Sequence, residues 1–375
     1  MTRRERMEKR GRRRTVRRII SVVVLPVLII AIILLIANRD RLSIDAITRR
    51  MGASARVETF HFTAAGNTVR LLDDGLAVAS NSGLMVYDRA GELVYSEIFP
   101  MARPVLNQAG AWLLAYDLGG TTVQLGNHRE AIRRIDWERG LINVRVNENG
   151  WLAVSAEQSG TRGEVTVIDA DGNPRYRVEL RTGHLIAAEL AADNRTLAIL
   201  TLTERGGRML WYSIDVPGDD SQHEFSLVGE VLIDFWFTSP GGALAAISDE
   251  SLIYLSASGE KRHTYDFAGQ SLLAYDHSGG DTALFLAPDQ HSREGQLVRV
   301  QTNGRVLTAE LSGDLRDIAI HGRYAAVLFS DRLILYRNMT EYASWDETEA
   351  QSYIQLRRDG TVLRFSSNQA RLLVP

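Results

Sequence analysis

From about residue 56 to the C-terminus, apolar and polar positions alternate in short runs broken by Gly, Asp, Asn and Ser, as in EVTVIDADGNPRYRVEL at 164–180. A period of two in runs this short predicts β-strands. One strand of small apolar residues returns throughout: LAVAS from Leu76, LLAYD from Leu113, LAVSA from Leu152, LAILT from Leu197, LAAIS from Leu244, LFLAP from Leu284, AAVLF from Ala325 and LRFSS from Leu363. Their starts are 37, 39, 45, 47, 40, 41 and 38 residues apart, the length of a propeller blade. The third unit shows the grammar in full: INVRVN, a turn NENG, WLAVSAE, a loop, EVTVIDA, a turn DGNP, and RYRVEL.

Four strands per unit predict an all-β fold, a β-propeller of four-stranded blades. The last unit, YIQLRRDG, TVLRFSS and QARLLVP, has only three strands, while VETFHF at 57–62 precedes the first unit without a blade of its own. Closure of the ring by that strand predicts eight blades. Seven is the alternative, if the terminal segments pair differently. Within RYRVEL, the period places Tyr176, Val178 and Leu180 on one side and Arg177 and Glu179 on the other.

Upstream the pattern is different. Ile19–Ala37 is nineteen residues without a charge, Ser21 being its one polar side chain. At about 1.5 Å per residue it spans ~28 Å and predicts a single transmembrane helix. Pro26 is tolerable there, because a membrane helix can re-satisfy the freed carbonyl locally. A cleaved signal peptide and a buried core helix are the rival readings. The stretch is longer than a signal peptide's apolar region, and the NRDRLS that follows offers no small-x-small cleavage site. Residues 1–18 hold ten Lys/Arg against Glu5 and Glu8, whereas Arg39, Arg41, Arg49 and Arg50 follow the helix with Asp40 and Asp45 among them. This bias predicts a cytoplasmic N-terminus and an extracytoplasmic domain over 56–375, in a single-pass protein of the cytoplasmic membrane. Anionic headgroups account for the basic run, so no nucleic-acid partner is expected. Residues 38–55 form a stem, either a short helix capped by Ser43 with Ile44, Ile47 and Met51 on one face, or a plain spacer.

Composition adds little beyond this asymmetry. Outside the first 18 residues, at +8, the chain carries 33 basic and 44 acidic side chains, a net of −11. There is no cysteine, which rules out a thiol nucleophile, and a domain this large can bury a core without disulfides.

Asp-Ala-Asp-Gly-Asn at 169–173 raises the question of a metal. An EF-hand loop needs a bidentate Glu at its twelfth position, where counting from Asp169 finds Leu180. Related phrases, YDRAGEL around Gly91, LSASGEK around Gly259 and VQTNGRV around Gly304, share a Gly flanked by Asp, Asn or Ser. That is the chemistry of a hairpin turn. The eight histidines, at 61, 128, 184, 223, 263, 277, 291 and 321, never stand at metal-ligand spacing, and no cofactor is expected. No linear serine-hydrolase, phosphate-loop or dinucleotide motif stands in the required strand-to-helix context, and a composite site at the ring centre is left open.

Two loops depart from the regular grammar and are candidates for partner binding. DVPGDDSQHE at 215–224 carries Asp215, Asp219, Asp220, His223 and Glu224; APDQHSREGQ at 287–296 carries Asp289, His291, Arg293 and Glu294. Solvated hairpin loops are the plainer reading of both. The tryptophans at 112, 137, 151, 211, 236 and 345 read as blade-packing residues.

The basic N-terminus, anchor and repeated phrases such as LMVYDRAGELVY and VTVIDADGNPRY resemble an uncharacterised domain-of-unknown-function family of Firmicutes, mostly clostridial. The likeness covers nearly the whole chain. More loosely, the blades are similar to WD-repeat and quinoprotein propellers, although Trp345-Asp346 is the one WD dipeptide. These resemblances imply a membrane-anchored propeller and carry over no functional residue. The expectation is a non-catalytic scaffold binding an extracytoplasmic protein or a cell-envelope polymer. The alternatives are a propeller enzyme, such as a quinoprotein-like dehydrogenase or polysaccharide lyase, and a sensor subunit needing a membrane partner.

Overall fold

The structure is a computed structural model describing residues 58–61, 68–72, 75–218, 220–346, 353–366 and 369–375. The expected basic segment, transmembrane helix and stem lie outside the described residues, as does Asp219. The strands form eight four-stranded antiparallel sheets, the blades of a propeller. Numbered in chain order, the axial strands are β2 (Thr68–Leu72), β6 (Pro104–Ala109), β10 (Leu141–Val146), β14 (His184–Leu190), β18 (Leu232–Phe237), β22 (Ser271–Ser278), β26 (Leu315–His321) and β30 (Tyr353–Leu356). Seven blades run from inside to outside in chain order. The eighth is β30, β31 (Val362–Phe365), β32 (Gln369–Leu373) and then β1 (Glu58–His61), which pairs antiparallel with β32 from Glu58↔Leu372 to His61↔Gln369. The ring is therefore closed by the N-terminal strand, as its missing partner predicts.

Position within a blade dictates sequence. The recurrent small-apolar run is the second strand of each blade, buried on both faces between neighbouring blades, and its near-continuous hydrophobicity follows. In β15 (Thr196–Thr203), Leu197 and Ile199 enter the apolar cluster shared with blade 3, while Ala198 and Leu200 enter the one shared with blade 5. One such cluster fills each of the eight blade junctions, from that between blades 1 and 2 to that between blades 8 and 1. Outer strands alternate instead: in β13 (Pro174–Glu179), Tyr176 and Val178 are buried and Arg177 exposed, and Leu180 follows them into the core. Trp211 and Trp236 are buried in these clusters, and Trp112, Trp137, Trp151 and Trp345 pack against them.

The DADGN phrase turns the chain from β12 (Glu164–Ile168) into β13. Asp169 N–H donates to the Asn173 carbonyl at 3.0 Å, Gly172 N–H returns to the Asp169 carbonyl at 2.9 Å, and the Asp169 carboxylate accepts from Asn173 N–H at 2.8 Å and from the Arg175 guanidinium at 2.6 Å. Burial pushes the Asp169 carboxyl up, but these donors outweigh it and hold it at about 2. Gly172 sits at φ +86°, and Gly91, Gly259 and Gly304 share that conformation at +84°, +76° and +81°. An L side chain is strained there.

Candidate functional site at the propeller axis

Strand order places the two departing loops. Loop 215–224 joins the third strand of blade 4 to its fourth, on the ring face that also carries the turns between first and second strands. Loop 287–296 joins the second and third strands of blade 6, on the opposite face. No single face carries both. Asp215 is exposed and pairs with exposed Arg195 at 3.2 Å; Asp220 and Glu224 line a shallow groove with Arg181 and Arg208 between blades 3 and 4; His223 and Glu224 begin the outer strand β17 (His223–Val228). Tyr176 O–H fastens this loop to blade 3 through the Gly218 carbonyl at 2.6 Å. Asp289 accepts from the backbone N–H of His291 at 2.8 Å, and Arg293 and Glu294 are exposed.

The more organised constellation lies on the axial strands, where sequence reasoning placed no candidate site residue. Each blade's axial strand is an unpaired sheet edge whose free N–H and C=O groups need partners. Side chains of neighbouring blades supply them at six of the eight junctions, and at the other two, between blades 3 and 4 and between blades 5 and 6, side chain bonds to side chain. Thr68 Oγ1 donates to the Pro104 carbonyl at 3.0 Å, and Asn107 Nδ2 to the Val144 carbonyl at 2.8 Å. Arg145 Nη1 donates to Glu189 Oε2 at 2.7 Å, and Phe237 N–H to Glu189 Oε1 at 3.5 Å. Tyr275 O–H donates to Asp234 Oδ2 at 3.2 Å, Ile320 N–H to Asp276 Oδ2 at 2.7 Å, and Ile354 N–H to Asp317 Oδ2 at 2.8 Å. Gln355 completes the circle, accepting from Leu71 N–H at 2.6 Å and donating to the Val69 carbonyl at 2.7 Å.

Charge is concentrated in this ring. Arg145 reaches past blade 4 to the Phe235 carbonyl at 2.5 Å and to Asp234, and its side chain is 18% exposed. Burial disfavours its charge, but Asp234 and Glu189 more than restore it. Burial pushes Asp276 up to about 7 and Asp317 to about 6, outweighing the backbone N–H donors that favour their ionised forms. Arg70 faces both carboxylates across the axis, yet makes no ion pair with either; its guanidinium donates to its own neighbour's carbonyl, Val69, at 3.4 Å. His277 stacks on Trp236 at 4.2 Å and 3°, and the protein around it pushes its pKa well below the usual imidazole range. Among the described residues, no group of three or more His, Asp or Glu is arranged to hold a metal ion.

One end of the axis is largely aliphatic. In five successive blades the axial strand carries a β-bulge at the same place, after Leu141, Leu185, Leu232, Leu272 and Leu315. The extra residue is Ile142, Ile186, Ile233, Leu273 or Arg316. Bulges re-aim side chains. Ile186 and Ile233 are 37% and 44% exposed, and Tyr353, the first residue of β30, is 57% exposed. Because these residues begin axial strands, they rim the channel mouth on the face that bears loop 287–296.

Comparison with known proteins agrees with the architecture. The C-terminal WD40 domain of Sif2 is 14% identical, with 86% of this chain and 100% of that one covered at a TM-score of 0.61. Sqt1 of Saccharomyces cerevisiae is 10% identical over 86% and 100% at 0.62, and the β-propeller domain of Cps50 (Swd1) from Myceliophteria thermophila 12% identical over 86% and 100% at 0.53. At such identities the likeness is one of fold. No curated protein matches the chain. The model of a family of unknown function (DUF5711) matches residues 53–365, and the chain belongs to that family.

Proposed function

We propose that the protein is a non-catalytic scaffold, anchored in the cytoplasmic membrane through Ile19–Ala37, whose extracytoplasmic propeller binds a partner protein at the axial mouth. What supports the reading is the mouth itself: four of the five repeated bulges put aliphatic side chains where a ring of polar clasps would otherwise meet solvent, and the fifth puts Arg316 there. Exposed apolar residues gathered at a concave site, with polar groups beneath them, are the usual makings of a protein-binding surface. Propellers of the WD40 kind commonly serve as such platforms, and the fold of this chain is of that kind.

Photo-reactive residues at positions 186 and 233 test this in the intact protein in its own cells, with position 215 on the opposite face as control. A reproducible partner captured from the mouth, and lost in Ile186→Ser or Ile233→Ser, is the expected result. Capture from position 215 alone would show that the wrong face had been chosen. Replacing Ile19–Ala37 by an unrelated membrane anchor should leave a tethered scaffold working, whereas a signalling subunit would lose its output.

A further inference from the structure

The axial ring contains the same carboxylate pair twice. Glu189 and Asp276 each stand four residues after the bulge leucine of their blades, and each accepts from the N–H five residues after the bulge leucine of the next blade, Phe237 and Ile320. Asp234 and Asp317 each stand two residues after theirs, and each caps the backbone N–H of its own successor, at 2.8 and 2.9 Å. The pairs Glu189/Asp234 and Asp276/Asp317 are therefore equivalent, two blades apart.

Their counter-charges are not equivalent. The first pair receives Arg145 from the preceding blade, in ion-pair contact with both carboxylates. The corresponding position before the second pair is Trp236, which stacks on Tyr275 and His277 and brings no charge. Arg70 faces Asp276 and Asp317 only at a distance, so the ring sets Arg70 and Arg145 against four carboxylates, a negative lumen once Asp276 and Asp317 are ionised, under a rim that is largely aliphatic but holds Arg316, itself paired with Asp314.

We propose that the mouth receives an arginine from an apolar-flanked segment of the partner, its guanidinium docking against Asp276 and Asp317 as that of Arg145 docks against Glu189 and Asp234. The flanking apolar side chains pack on Ile186, Ile233, Leu273 and Tyr353. Arginine is favoured over lysine because its planar fork can meet two carboxylates at once. Arg70 is the built-in competitor. This proposal rests on the reading of the mouth as a docking face.

The test titrates the full chain in detergent with the peptide acetyl-Leu-Ala-Arg-Ala-Leu-amide and with its citrulline counterpart, which keeps the shape and removes the charge. The arginine peptide should bind at least about tenfold tighter, a difference of ~1.4 kcal/mol. Asp276→Asn with Asp317→Asn should erase that preference, Asp215→Asn should leave it intact, and Arg70→Met should enlarge it. Ile186→Ser should weaken both peptides alike. The groups facing the docked guanidinium are Asp276, Asp317, Glu189, Asp234, Arg70, Arg145, His277 and Tyr275, with Arg316 and His184 at the rim above them. Of these, Asp276, held at about 7, makes arginine binding weaken as pH falls from about 8 to 6. Equal affinity for the two peptides overturns the proposal, as does a preference that survives the double variant while its melting curve shows an intact fold. Capture of a partner at positions 186 and 233 alongside equal peptide affinities would sink the arginine and leave the scaffold standing.

Discussion

Asp276→Asn should stabilise the protein at pH 8 and flatten its response to pH. Asp276 bonds blade 6 to blade 7 through Ile320 N–H, yet burial raises its carboxyl from 3.8 to about 7. The folded chain thus holds the proton more tightly than the unfolded one. The sign follows: this group's contribution is most favourable below its unfolded value near 4, declines as pH rises, and is fully lost above about 7. Three pKa units correspond to ~4 kcal/mol. Asparagine keeps an acceptor for Ile320 N–H and removes the charge, but loses part of the carboxylate's contact with His277 N–H, about 1 kcal/mol. Water in the half-open lumen reduces the remainder, leaving a gain of about 2 kcal/mol at pH 8. For a propeller of this size that is a rise of ~3 °C in Tm. Thermal unfolding of both proteins from pH 4 to 8, followed by tryptophan fluorescence, reads it directly. A variant less stable than the parent at pH 8, with an unchanged pH profile, would mean that Arg70 already compensates the carboxylate and that burial does not govern it.

Other perturbations test separate parts of the fold. Ile199→Ala, at a fully buried position of β15, should cost about 2–4 kcal/mol in denaturant unfolding. Gly172→Ala forces an L side chain to φ +86° with its methyl group against the movable Arg133 guanidinium, and a loss of about 1–2 kcal/mol, mostly from the backbone, is expected. Asp169→Ala should destabilise the protein equally with and without a calcium chelator. Because the Asp169 carboxyl is held at about 2, its contribution is present above its unfolded value near 4 and fades as pH falls through 2, so that variant and parent converge in strong acid. Deleting residues 58–61 uncovers the edge of β32, and light scattering should then show self-association.

The blades were legible because their defining strand is sandwiched between neighbours and must be small and apolar at every recurrence, from Leu76 to Leu363. Ring closure was legible from one strand missing and one strand spare. The turns followed from glycine chemistry that Gly172 and its counterparts obey. The axial ring was not legible, for two reasons. Its charged residues come from six blades and look singly like stray polar positions: Arg70 in TVRLL, Glu189 in HLIAAEL, Asp234 in LIDFWF. The bulges also break the repeat, since Arg145, Glu189 and Asp276 stand four residues after their leucines while Asp234 and Asp317 stand two after theirs. A charge inside an otherwise apolar first strand was the one available signal. The loops at 215–224 and 287–296 attracted notice because they are polar and irregular, but polarity alone does not tell which face of a ring a loop occupies.

The pairing of β1 with β32 also sets an order of events. Seven blades can assemble from neighbouring stretches of chain, but the eighth joins residues some 310 positions apart, a loop closure of ~5 kcal/mol in chain entropy. Until Leu372 has left the ribosome and reached the same compartment as Glu58, the blades form an open arc with an exposed edge at each end. A pull on the two ends of the domain would be borne first by those few backbone hydrogen bonds. The strand that opens the propeller is the last to find its partner, and closure of the ring reports that the chain has arrived as far as Leu372.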